Sequence, residues 1–219
     1  MEIVYFGQSC FRIRAKEATI VTDPFHTTEY LSLKPPKLEA DIITVSHSHE
    51  DHNNVESVSG TVNRPKPFII DAPGEYEVSG VSVFGFGAYH DKQQGKERGK
   101  NNIFIIVADG LRLVHLGDLG QKLDEKLKEE VSEPDVLFVP VGGKVTLDSS
   151  EAVDLVSQLQ PKIVIPMHYR LPGGNAELDP VENFMKEIGL EQFEQVEKLS
   201  VNLDKLPEER EIVVLAKRA

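Results

Sequence analysis

One histidine-rich stretch decides how this sequence is interpreted: residues 46–52 read S-H-S-H-E-D-H. The stretch contains the pattern H-x-H-x-D-H, whose potential ligands are His47, His49, Asp51 and His52. Imidazole and carboxylate groups suit zinc and neighbouring first-row metals. Two histidines spaced by one residue can project from an extended loop to the same side and share one metal ion, while Asp51 and His52 can bind a second. The stretch therefore predicts a metal site rather than a polar loop with incidental histidines.

Three further ligand-type residues lie where predicted strands end. The histidine stretch itself follows an apolar run at residues 41–45, and His90, Asp118 and His168 each come just beyond a later run of this kind. Open α/β structures gather their chemistry at such strand ends. Taken singly, each residue is equally well explained as a hydrogen-bonded structural residue. Their common placement favours one dinuclear site that all of them share.

Alternating and apolar runs predict the secondary structure. Strands are expected at residues 2–6, 10–14, 19–22, 41–45, 67–71, 81–86, 103–107, 111–116, 136–139 and 163–166. Asp109-Gly110 predicts a tight hairpin between two of them. Helices are expected at residues 121–130, 149–159 and 179–188, with Asp148 and Asp179 as caps of the last two. Residues 196–216 alternate like a final hairpin around Leu206-Pro207-Glu208.

Composition limits the class of protein. The chain has 219 residues and a net charge of −12, and no linker divides it, so a single domain over residues 1–219 is expected. One cysteine, Cys10, excludes a disulfide framework, and no apolar run approaches the roughly 18 residues of a membrane span. We expect a soluble, cytoplasmic protein. The acidic charge makes nucleic acid an unexpected partner, and a homo-oligomer stays possible.

Together these motifs resemble the metallo-β-lactamase superfamily through most of the chain. The resemblance implies an α+β fold, a four-layer αββα sandwich with a dinuclear metal site at one edge of its two sheets. It implies that His47, His49 and His90 hold one metal ion and that Asp51, His52 and His168 hold the other. Asp118 would be the bridging carboxylate, and Asp23 matches the superfamily's early aspartate.

Three segments are most similar to one branch of that superfamily. They are residues 71–81, 141–148 and 164–169, and the branch is related to the L-ascorbate-6-phosphate lactonase and to the N-acyl-phosphatidylethanolamine phospholipase D type. The superfamily's di-iron oxidoreductases have a Glu where His49 stands here. That difference favours hydrolysis over redox chemistry.

The expected activity is a metal-dependent hydrolysis. Two divalent metals that share a carboxylate can share a water and lower its pKa toward neutrality, so hydroxide would attack a small, anionic ester, lactone or amide. Asp51 and Asp118 are the predicted catalytic residues, and zinc is the expected metal, with Mn²⁺ and Fe²⁺ as alternatives. A phosphodiesterase or nuclease using the same site is the second hypothesis. A non-catalytic metal-binding protein is the third.

The remaining polar residues receive weaker assignments. His115 is expected to be a hydrogen-bonded core residue or to support the site, and Asp23 to fix a ligand or the turn at residues 22–25. No role is assigned to His26, and the serines 9, 46 and 48 with Cys10 are expected to pack or to form turns. The loop 91–100 carries a local charge of +2 and either holds a phosphate or carboxylate or is simply solvated. Lys144 and Arg170 are further candidates for anion binding. Tyr76 and Tyr169 either donate to an oxyanion or pack in the core.

Overall fold

The computed structural model describes residues 1–218 and contains two large mixed sheets. The strands are β1 (Glu2–Gly7), β2 (Cys10–Arg14), β3 (Thr19–Thr22), β4 (Leu38–Ala40), β5 (Ile42–Thr44), β6 (Val58–Gly60), β7 (Phe68–Ile70), β8 (Gly74–Val78), β9 (Val81–Tyr89), β10 (Lys100–Ala108), β11 (Leu111–His115), β12 (Val136–Pro140), β13 (Ile163–Met167), β14 (Gln195–Val196), β15 (Leu199–Ser200), β16 (Glu211–Ile212) and β17 (Val214–Leu215). The helices are α1 (Glu125–Val131), α2 (Ser149–Leu159) and α3 (Val181–Glu187), with 3-10 turns at Val55–Ser57 and Leu203–Lys205.

The six-stranded sheet has the order β15-β1-β2-β3-β5-β7, and the seven-stranded sheet has the order β16-β13-β12-β11-β10-β9-β8. The first sheet starts as an antiparallel meander of β1 to β3 and continues with β5 and β7 parallel to β3. In the second sheet, β8 to β11 are antiparallel and β12, β13 and β16 run parallel to β11. Parallel neighbours end at the same edge, which brings the segments after β5, β11 and β13 within reach of one another.

The two sheets face each other across an aromatic core. Phe11 on β2 packs between Tyr5 on β1 and Phe138 on β12, with ring centroids 4.8 and 4.6 Å apart. The helices α1 and α2 connect parallel neighbours of the seven-stranded sheet and so cover its outer face. The crossover from β5 to β7 contains a 3-10 turn and β6 in place of an α-helix. The predicted α+β sandwich is confirmed.

Most predicted elements are found, and their ends differ modestly. The Asp109-Gly110 hairpin has positive φ at both residues, as its tight turn requires. Asp148 caps α2, as predicted, and forms a capping box with Glu151. The strands β9 and β10 are longer than predicted and pair along their whole lengths. β4, β6 and β8 have no counterpart among the predicted strands.

Three predictions at the level of elements are wrong. The helix predicted at residues 121–130 begins only at Glu125, because Asp124 is its cap and accepts the N–H of Leu127. The third helix has Pro180 rather than Asp179 at its N-cap, and no side chain caps it. The C-terminal hairpin does not form, since β15 joins β1, β16 joins β13, and β14 pairs in parallel with β17. Alternation predicts half-buried strands but not their partners.

Two expectations concern the whole chain, namely that no segment spans a membrane and that the chain forms one domain. No helix within residues 1–218 has the length and apolar character to cross a membrane. A single domain over residues 1–219 stays a prediction.

Candidate metal centre

The seven predicted ligands lie together at one edge of the two sheets. Four follow β5, and the others follow β9, β11 and β13, so four strand ends supply the site. Their ligand atoms form three sets, each within 4.8 Å: His47, His49 and His90; His47, His52 and Asp118; Asp51, His52 and His168. Two of these sets are the two ligand groups that the resemblance implies.

Asp118 occupies the position between the two ligand groups. Its Oδ2 lies 3.2 Å from Nε2 of His52, 3.3 Å from Nε2 of His90 and 3.1 Å from Nε2 of His168. Burial alone would raise the pKa of the Asp118 carboxyl, but the imidazoles of His168 and His52 hold it well below its usual value. One carboxylate oxygen therefore faces histidines from both groups, as a shared ligand must.

Two of the predicted ligand histidines are oriented by a single buried carboxylate. Ser46 Oγ donates to Oδ2 of Asp23 at 2.6 Å, which leaves it free to accept from Nδ1 of His47 at 2.9 Å. Nδ1 of His52 donates to the same Asp23 oxygen at 3.0 Å. Asp23 thus contacts a predicted ligand, as the sequence predicts, and Ser46, for which only packing or a turn was predicted, also contacts a histidine.

The donor set fits divalent metal ions. Nε2 of His47 is buried and has no hydrogen-bond partner among the described residues, so it has a lone pair available to a cation. Burial lowers the pKa of His47 to about 3, which keeps its imidazole neutral, as a ligand must be. Burial opposes a proton on His52 as well, but Asp118 and Asp51 raise its pKa well above the usual value. The buried carboxylates of Asp118 and Asp51 therefore favour a positive charge at the position of His52.

The turn between β1 and β2 also reaches the site. Nε2 of the fully buried Gln8 donates to Oδ2 of Asp51 at 3.3 Å, and Ser9 Oγ donates to Oδ1 of Asp118 at 3.3 Å. The backbone N–H of His168 donates to the carbonyl of Gln8 at 3.0 Å. Ser9 lies in a turn, as predicted, and its hydroxyl also contacts a predicted ligand, which the sequence did not indicate. Neither residue is a typical metal ligand, so only its polarity within a turn between two apolar strands could have drawn attention to it.

The other candidates lie outside the ligand set. His115 is buried, with Nε2 3.0 Å from the carbonyl of Ser9 and Nδ1 accepting the N–H of Gly117 at 3.3 Å, which agrees with a hydrogen-bonded core role. His26 and Arg170 are exposed. The hydroxyl of the buried Tyr169 is 3.5 Å from the carbonyl of Leu215, and Tyr76 donates to the carbonyl of Ala72, which favours structural roles for both tyrosines.

A cavity of about 680 Å³ opens onto the ligands. His49, Asp51, His90, Asp118 and His168 line its inner part. Glu29, Tyr30, Arg98, Asn175 and Glu177 are among the residues of its rim. Such a volume is typical of sites for small molecules, which agrees with the predicted class of substrate.

Comparison with known proteins identifies the family. Residues 2–168, which end at the last predicted ligand, match the model of the beta-lactamase superfamily domain. The chain belongs to the metallo-β-lactamase superfamily. A Thermotoga maritima structure described as that of a Zn-dependent hydrolase of this superfamily is similar, with 37% identity and a TM-score of 0.78 over 98% of this chain and 97% of that one.

Two archaeal relatives of this superfamily member are named UPF0173 metal-dependent hydrolases. The Thermococcus onnurineus protein is 31% identical over 77% of this chain and 84% of its own length. The Thermoplasma acidophilum protein is 28% identical over 77% of this chain and 83% of its own length. At the level of the family, these names confirm the predicted class, a metal-dependent hydrolase.

Proposed function

We propose that this chain is a dinuclear metal-dependent hydrolase that cleaves a small, anionic ester, lactone or amide. The observation that carries the proposal is the position of Asp118, whose Oδ2 is within 3.3 Å of histidine nitrogens from both ligand groups. The class of reaction is that of the named relatives. The lactone is included because three segments are similar to the lactonase-related branch.

Seven residues would hold the two ions. His47, His49 and His90 would bind one ion, Asp51, His52 and His168 the other, and Asp118 both. Bound divalent ions of this kind would supply a water of lowered pKa and would polarise the bond to be cleaved. Zinc is the expected metal because histidine and carboxylate ligands dominate, and manganese or iron would accept the same ligands.

The chain's own groups would orient the reaction. Asp51, held by the amide of Gln8 at 3.3 Å, would both bind a metal and accept a hydrogen bond from the attacking water. Asp118 would keep both ligand groups at a fixed separation. No serine or cysteine nucleophile is required, since Cys10 is buried and Ser9 and Ser46 are hydrogen-bonded to carboxylates.

The test begins with metal content. Protein purified without added metal and without chelator should contain close to two transition-metal ions per chain, and a content at background would contradict the proposal. The second part is a substrate panel of lactones, thioesters, β-lactams, amides, bis-p-nitrophenyl phosphate and short RNA. Cleavage of a carboxylic ester, lactone or amide supports the proposal, whereas cleavage of RNA alone would favour a nuclease.

A further inference from the structure

The loop that follows His90 is built around one buried carboxylate. Asp91 is 6% exposed, and its two oxygens lie 2.7 to 3.1 Å from the backbone nitrogens of Gln93, Gly95, Glu97 and Arg98. The loop closes where the N–H of His90 donates to the carbonyl of Gly99. A carboxylate that accepts four N–H groups holds its loop in one shape. The backbone of Arg98 is therefore held at a set place beside the ligand His90.

Arg98 lies where three cavities meet. It lines the cavity of about 680 Å³ that contains five of the predicted metal ligands, a cavity of about 280 Å³ beside His47 and His49, and a cavity of about 370 Å³, here called the side cavity. His90 lines the first of these and the side cavity. The side chain of Arg98 is exposed and makes no hydrogen bond or ion pair with any residue in the part of the chain that the structure describes. Its guanidinium is thus available to a ligand.

The acidic groups of the side cavity are already engaged. Asp91 accepts the four N–H groups of its loop, and Glu97 accepts from Gln93. Glu151 is 2.5 Å from Lys92 and forms the capping box of α2 with Asp148. These carboxylates keep their charge, but none of them lies within 4.0 Å of the Arg98 guanidinium among the described residues.

A second cation faces the side cavity. Lys144 is 54% exposed, and its nearest acidic partner, Glu177, is 4.0 Å away. An exposed ion pair at that distance contributes little and is readily exchanged for another partner. The side cavity therefore presents two weakly engaged cations on an acidic protein.

We propose that Arg98, together with Lys144, forms a subsite for an anionic arm of the substrate, a carboxylate or a phosphate. The guanidinium can donate two parallel N–H bonds to either group. The proposal rests on the proposed function: the bond to be cleaved lies at the metal centre, and the arm extends past His90 into the side cavity. Arg98 then selects the substrate by its charge and takes no part in the chemistry.

The first test compares two esters with one leaving group on the metal-loaded protein. p-Nitrophenyl acetate has a neutral acyl group, and the p-nitrophenyl monoester of glutaric acid has an acyl chain that ends in a carboxylate. Arg98→Gln should raise KM for the glutaric ester about tenfold and leave kcat/KM for the acetate within about twofold. Arg98→Lys, which keeps the positive charge, should raise KM for the glutaric ester by less than Arg98→Gln does. Equal changes for both esters, or none, would overturn the subsite.

The matched control is Lys66→Gln, which removes an exposed positive charge that lines none of these cavities. It should leave KM for both esters unchanged. If Lys66→Gln raised KM for the glutaric ester as much as Arg98→Gln does, the effect would come from the overall charge and the subsite would be contradicted.

The second test needs no turnover. Glutarate and inorganic phosphate are titrated calorimetrically into the metal-loaded wild type, Arg98→Gln and Lys66→Gln. At least one anion should bind the wild type and lose about tenfold in affinity in Arg98→Gln alone. If the affinity for glutarate falls, the arm is a carboxylate, and if the affinity for phosphate falls, the arm is a phosphate. Equal affinities in all three proteins, or no binding, would overturn the subsite. If the protein binds the anion in this way but cleaves neither ester, the proposed ester activity is contradicted and the proposed subsite is still supported.

Discussion

Nδ1 of His52 lies 3.0 Å from Oδ2 of Asp23, and both side chains are completely buried. The same Asp23 oxygen accepts from Ser46 Oγ, which contacts His47, so one carboxylate orients histidines of both proposed ligand groups. This arrangement turns Nε2 of each ring toward the centre. Asp23 would therefore act on the proposed metal ions without contacting them.

Asp23→Asn is therefore expected to weaken metal binding. The amide has the size of the carboxylate but lacks its charge, so it supports the Nδ1–H form of His52 poorly. We expect affinity for zinc to fall by about 10- to 100-fold, measured by competition with a chromophoric chelator. Asp154→Asn, at an exposed position of α2, is the control and should bind zinc like the wild type. Unchanged affinity in Asp23→Asn would show that the contact is only structural.

Asp118→Ala and His168→Ala should abolish activity and leave the chain folded. Each removes a predicted ligand, and the loss of a metal's electrostatic contribution is worth several kcal/mol, which corresponds to at least about 100-fold in rate. Metal content by mass spectrometry should fall in parallel with turnover, and circular dichroism should be unchanged. His26→Ala, which removes an exposed histidine, should retain both metal and activity. Full turnover in either ligand variant would exclude that residue from the site.

Gln8→Leu tests the turn between β1 and β2. Leucine keeps most of the volume but cannot donate to Asp51, and a hydrogen bond to a charged group is worth about 1.5 to 3 kcal/mol. We expect about tenfold weaker metal binding and an altered absorption spectrum of the cobalt-substituted protein. Gln158→Leu on the exposed face of α2 is the control. An unchanged cobalt spectrum would mean that Gln8 does not position Asp51.

Gly142→Ala is expected to disturb the loop that carries His168. A Cβ at residue 142 would lie 2.1 Å from the carbonyl oxygen of His168, a backbone atom that cannot rotate away. We expect a loss of about 1 to 3 kcal/mol in the free energy of unfolding, measured by denaturant titration, together with weaker metal binding. Gly87→Ala, whose Cβ would come no closer than 3.7 Å to any neighbour, should change neither. Equal stability of the two variants would contradict this explanation.

The predicted ligands share a feature that can be recognised from the neighbouring residues in the sequence. Each follows an apolar run, and such a run must form a buried element whose end is near the surface, so His90, Asp118 and His168 could be selected without knowledge of contacts. Residues whose importance arises only from contacts were missed. Gln8, Ser9 and Ser46 have ordinary neighbours along the chain, and their partners are distant in sequence.

The C-terminal segment illustrates the same limit for the fold. Its alternation predicts strands, but β15, β16 and β17 pair with β1, β13 and β14 instead of forming a hairpin. Edge strands of both large sheets were available, and pairing with them satisfies more backbone groups than an isolated hairpin does. The ends of α1 and α3 likewise depend on which residue caps them in three dimensions.

The sequence by itself determined most strands, the capping of α2 and the seven residues of the candidate site, because periodicity and ligand chemistry are local properties. The α+β class followed from the resemblance of the motifs to a known superfamily. Tertiary structure alone decided that Oδ2 of Asp118 lies between the two ligand groups and that Asp23 orients His47 and His52. It also decided that Arg98 lies where three cavities meet. The physical reason is that these relationships join atoms on separate strands and loops, whose distances are set by how two sheets pack and not by spacing along the chain.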